Sequence, residues 1–162
     1  MNRWLWLGLV WLAAMLQAYF LASLSGGSIV LNLVIIMLTV AALNRSPALA
    51  LATALWGGFW LEVASATQFG TRMLFFGLWV LMLLLLKRFG VAFERTYSVV
   101  AMVGLGSLLY NLWLQAWAWL DIGGIVMSAR LLQWWGIEVL LSAALAWLLY
   151  PRLKSMVTQR RL

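Results

Sequence analysis

Six runs of apolar residues, about 4–22, 28–43, 47–65, 71–86, 97–120 and 131–150, follow one another with only short polar connections. An α-helix needs roughly 20 such residues to cross the hydrocarbon of a bilayer. Connections this short leave no room for a soluble domain. Composition agrees, because 66% of the 162 residues are hydrophobic and 9% charged, against roughly 45–50% apolar and about 25% charged in soluble domains. That much apolar surface cannot be hidden in a water-soluble fold of this size, and it is equally incompatible with disorder. The expected fold is an all-α integral membrane protein, one compact bundle of six transmembrane helices with very short loops.

The boundaries carry local chemistry of their own. In Asn44-Arg45-Ser46-Pro47 the serine is placed to cap the following helix, and the proline occupies its first turn, where a missing N–H costs nothing. The second and fourth runs are shorter: sixteen residues each rise about 24 Å, less than a hydrocarbon core of roughly 30 Å. Local thinning, fraying into Gly26-Gly27 and Phe69-Gly70, or a re-entrant hairpin would each accommodate the difference. The first run follows Met1-Asn2-Arg3 and exceeds the roughly 7–15 apolar residues of a cleaved signal peptide, so it reads as an uncleaved signal anchor.

Basic residues set the orientation. With the N-terminus inside, the inner segments carry Arg3, Arg45, Lys87, Arg88, Arg95, Arg152, Lys154, Arg160 and Arg161, whereas the outer loops carry only Arg72 and Arg130. This segregation predicts both termini in the cytoplasm and an even number of spans. The net charge of +7 is then an orientation signal rather than a nucleic-acid footprint, and no nucleic-acid partner is expected. Twelve tryptophans suit the same setting. Trp4, Trp6, Trp113, Trp117, Trp119, Trp134, Trp135 and Trp147 fall near the predicted interfaces, while Trp56, Trp60 and Trp79 lie deeper and are expected to fill gaps beside glycines.

Catalytic chemistry has little to draw on. The chain has no cysteine and no histidine, which removes thiolate nucleophiles, imidazole acid–base chemistry and the commonest zinc ligands. No phosphate-loop, nucleotide-binding or hydrolase spacing occurs, and the glycine pairs at 57–58, 104/106 and 123–124 suit close helix packing instead. A non-enzyme without metal or cofactor is expected. The two carboxylates within spans, Glu62 and Glu138, still require partners, because an ionisable group there is costly. Arg72 and Arg130 share their outer side, so the helix ends are predicted to converge into a small charge cluster. It would serve either as structural glue or in binding a partner or a solute.

The fifth run has a polar stripe, Gly104, Ser107, Asn111 and Gln115, whose 3-4-4 spacing places all four on one helical face. Such a face packs within the bundle, docks on another protein's helix, or lines a solute cavity. Ala14 and Ala18 form an A-x-x-x-A pair on the first run, with Gln17 beside it. The inner loop from Lys87 to Arg95 interleaves basic residues with aromatics and is expected, with the basic tail, to lie on anionic headgroups.

The stretch Gly57-Gly58-Phe59-Trp60-Leu61-Glu62-Val63-Ala64-Ser65-Ala66-Thr67-Gln68-Phe69-Gly70-Thr71-Arg72, followed by an apolar run ending in Leu86-Lys87-Arg88, resembles the rod shape-determining protein MreD family. There, a glycine-bearing span ends in an acidic residue, and a small-polar turn with a Leu-Gly or Phe-Gly pair leads into the next span. On this resemblance Glu62, Phe69 and Gly70 are the family-motif residues. It implies a non-catalytic scaffold in the bacterial cytoplasmic (inner) membrane that partners MreC and the wall-synthesis complex during cell-wall elongation. A rival reading is the substrate-binding subunit (S-component) of an energy-coupling-factor vitamin transporter, also a six-helix membrane protein, in which Ala14 and Ala18 would meet the transducing partner.

Overall fold

The computed structural model describes residues 2–21, 31–65, 69–91, 93, 95–122 and 128–158. Expectations concerning Gly26, Gly27, Ala66, Thr67, Gly123, Gly124, Arg160 and Arg161 lie outside them. Among the described residues the chain is all-helical: α1 (Arg3–Met15) continues into a π-helical segment (Leu16–Leu21), then come α2 (Leu33–Asn44), α3 (Pro47–Ser65), α4 (Thr71–Arg88), α5 (Thr96–Ile122) and α6 (Ala129–Thr158). Three stretches, Pro47–Ser65, Thr96–Leu120 and Arg130–Met156, are long and apolar enough to cross a membrane.

Helix α2 is the axis of the bundle. Every residue from Val34 to Leu43 is buried, and all five other helices pack against it. Its sequence explains this placement, since a helix apolar on every side must be enclosed on every side. The other helices bury one stripe and leave leucine and tryptophan outside, including Trp4, Leu5, Leu120, Leu140 and Leu148. Consecutive helices α3–α4 and α5–α6 form the most intimate pairs, and α1 lies along α3.

Glycine permits the closest approaches. A Cβ on Gly58 would stand 2.7 Å from the Met73 Cα, and one on Gly57 would stand 2.8 Å from Val34 Cγ1 and 3.2 Å from Val10 Cγ1. Trp79 occupies the space that Gly106 leaves, its Cζ2 lying 2.7 Å from where a Cβ would sit, and its Nε1 donates to Thr39 Oγ1 at 3.4 Å. At the C-terminal end of α2, Lys87 Nζ donates to the Leu43 carbonyl at 2.8 Å, meeting a last-turn acceptor of that helix. Ser46 Oγ accepts from Leu49 N at 3.4 Å, at the start of α3.

Several sequence expectations change. The second helix begins at Leu33 rather than near 28, and its twelve residues rise only about 18 Å. The first helix widens to π-helical form instead of running on regularly, and this widening carries Gln17, a residue 2% exposed, into the interior. Helix α6 continues through Pro151 to Thr158 rather than ending at 150; proline removes one backbone donor, and the turns on either side hold the remainder. Trp6, expected near an interface, is fully buried within the protein, with Nε1 donating to Thr53 Oγ1 at 3.0 Å and the Arg45 guanidinium 5.3 Å from its ring centroid. Trp56 is 38% exposed, its indole N–H donating to the Leu7 carbonyl at 3.1 Å.

Because the Gly58 site abuts backbone rather than a movable side chain, Gly58→Val is expected to force α3 and α4 apart. The cost should be roughly 1–3 kcal/mol or more. Gly136→Ala, where nothing lies within 4 Å of the added Cβ, should be neutral or stabilising by up to about 1 kcal/mol. Thermal unfolding of both variants in detergent checks the contrast.

Candidate functional site

The start of α2 lies within the bundle, and its first backbone donors are met by side chains from other helices. Gln17 Oε1 accepts from Val34 N at 3.1 Å, and Ser142 Oγ of α6 accepts from Asn32 N at 3.2 Å. The Asn32 side chain completes the network: its Oδ1 accepts from Gln17 Nε2 at 3.2 Å, and its Nδ2 donates to Glu138 Oε1. Gln17, Asn32, Glu138 and Ser142 are all buried. Four side chains from three segments thus satisfy the end of a helix that water does not reach.

Glu62 does the equivalent for α4. Gly70, with φ of 99°, turns the chain back so that three backbone N–H groups face the carboxylate. Glu62 Oε2 accepts from Gly70 N at 2.9 Å, and Oε1 accepts from Arg72 N at 2.7 Å and Met73 N at 3.1 Å. An anion held by unpaired first-turn amides sits at the positive end of the helix dipole. Trp113 of α5 donates from Nε1 to the Thr71 carbonyl at 3.0 Å, fastening the same turn from the other side. Phe69 is exposed and meets Phe59 edge-on at 5.8 Å.

The expected charge cluster takes a different form. Among the described residues no ion pair joins Glu62 or Glu138 to Arg72 or Arg130. Backbone amides hold Glu62 and a carboxamide holds Glu138, which pairs each acid without desolvating a second charge. Arg130 is exposed, while Arg72 folds inward and donates from Nη1 to the Leu61 carbonyl at 3.0 Å. Gln17, Leu61, Arg72, Tyr110, Asn111 and Glu138 share a cavity of about 190 Å³, which Ala18 and Leu114 help to line.

The α5 stripe faces that region in part. Gly104 would bring a Cβ within 3.6 Å of Val139 Cγ1 on α6, Ser107 is fully buried, and Asn111 is 8% exposed. Gln115 is half-buried and stands outside the cavity wall. Ala14 is buried, whereas Ala18 lies at the cavity edge. Sequence reasoning missed Asn32 and Ser142; the signal for Asn32 was its carboxamide in an otherwise apolar run, which demands partners wherever lipid excludes water. Among the described residues no group of acidic side chains gathers as a metal site.

Compared with known proteins, the chain matches no family model, no curated protein and no solved structure.

Replacing Glu138 separates hydrogen bonding from charge. Glu138→Gln retains an acceptor for Asn32 and should leave the unfolding free energy near that of the wild type. Glu138→Leu strands the Asn32 amide and should cost roughly 1–3 kcal/mol. Glu62→Ala leaves three first-turn donors without their acceptor and should cost a similar amount, about 1–3 kcal/mol. Denaturant titration of detergent-solubilised protein reads all three.

Proposed function

We propose that the chain is a six-span protein of the bacterial cytoplasmic membrane, both termini inside, acting without catalysis as an assembly scaffold of the kind its MreD-like motif implies. Its partners are membrane lipids and other membrane proteins, an MreC-like protein and the wall-synthesis complex among them. One observation carries this reading: both span carboxylates are spent on helix N-termini of the chain itself, Glu62 on α4 and Glu138 through Asn32 on α2. Groups committed to holding the chain's own amide donors supply architecture rather than turnover. Exposed leucine and tryptophan on α1, α5 and α6 offer the surface against which lipid tails or partner spans pack. The segregation of basic residues supports the orientation.

Two measurements test the proposal. Affinity purification from native membranes should retain wall-synthesis partners with the wild type and fewer of them with Glu62→Ala. Equal retention of every partner by both would remove the assembly role from this turn. The natural absence of cysteine makes topology mapping direct. Phe69→Cys should react with an impermeant thiol reagent in intact cells, and Phe89→Cys only after the membrane is opened. Labelling of both from outside would overturn the six-span orientation.

A further inference from the structure

The cavity beside Glu138 holds polar capacity that the scaffold role does not use. Two buried donors in it, Asn111 Nδ2 and Arg72 Nε, have no hydrogen-bond partner among the described residues. Asn111 is more than nine-tenths buried and stands close beside the Glu138 carboxyl group. Buried donors are paired in the great majority of native proteins, so two in one wall call for an acceptor that enters the cavity. The wall also carries charges of both signs, a guanidinium at Arg72 and a carboxylate at Glu138, whose Oε1 accepts from Asn32. Leu61, Leu114 and Ala18 supply apolar surface. The volume of about 190 Å³ is below the roughly 300–1,000 Å³ of drug-sized pockets, and a water takes about 30 Å³, so only a small molecule fits.

We propose that this cavity is a binding site for a small aliphatic zwitterion, its acid group held by Arg72 and Asn111 and its ammonium directed to Glu138. A neutral polar solute would leave both wall charges unanswered. A simple anion would meet Glu138 unfavourably, and a simple cation would meet Arg72 in the same way. The chemistry is shared by short α-amino acids and by the phosphoethanolamine headgroup of a lipid. The site is independent of partner assembly, so loss of the ligand would leave co-purification of partner proteins unchanged.

Titration calorimetry on the detergent-purified protein with L-alanine, L-valine and phosphoethanolamine tests this, with propionate and propylamine as single-charge controls. Native mass spectrometry from nanodiscs of phosphatidylethanolamine and of phosphatidylcholine distinguishes the sources. Saturable one-site binding of a soluble amino acid identifies a free solute. Preferential retention of phosphatidylethanolamine, without amino-acid binding, identifies a headgroup. Glu138→Gln, which keeps the acceptor for Asn32, should weaken the zwitterion about tenfold or more while leaving propionate no weaker than before, and Asn111→Asp should weaken the zwitterion to a similar degree. If those variants fail to fold, Leu114→Trp fills the cavity from its apolar wall and should abolish binding. The proposal is overturned if no zwitterion binds saturably and neither lipid is preferred. It is equally overturned if folded Asn111→Asp and Glu138→Gln, or Leu114→Trp, bind as tightly as the wild type.

Discussion

A helix that begins inside a protein leaves backbone N–H groups that only other side chains can satisfy, and the start of α2 imposes that constraint on the whole bundle. Its twelve residues span about 18 Å, so its first turn opens within the bundle. Gln17, Ser142 and, through Asn32, Glu138 converge on it. These contacts fix the relative positions of three segments far apart in sequence. The π-helical widening after Met15 accompanies them, since Gln17 lies in its first turn.

The start of α4 repeats the solution with a carboxylate in place of a carboxamide. Glu62 reaches across the turn to three backbone amides, and Gly70 supplies the left-handed conformation that brings the chain back. Close packing at Gly57 and Gly58 keeps α3 near enough to both α2 and α4 for this geometry to hold. Arg72 and Asn111 keep donors facing the cavity that Glu138 also lines. The arrangement is cheaper than buried ion pairs, which desolvate two charges for each contact made.

Legibility in the sequence followed the range of the interaction. The connection before Pro47 was readable from four residues, because capping and proline geometry act locally. The start of α3 at Pro47 was readable for the same reason. At Pro151 the local rule failed, since the helix beyond it continues despite the lost donor. Glu62, Asn111 and Glu138 stood out because charged and amide groups are rare and costly in apolar runs. Asn32 and Ser142 did not, because their importance lies in meeting each other across 110 positions of chain. The predicted meeting of Glu62 and Glu138 with Arg72 and Arg130 rested on charge alone, and a carboxylate binds backbone amides as readily as guanidinium when a helix end is nearby.

By itself, the sequence determined that this chain is helical, apolar beyond what water tolerates, and divided into six segments with basic residues on alternate connections. Hydropathy and charge are properties of single residues and short windows, so no partner is needed to read them. Which helix lies at the centre, where it begins and which side chains cap it were decided only by the tertiary structure. Those outcomes depend on buried donors finding acceptors from distant segments, and the energy of such a pair exists only once the fold has brought both members together.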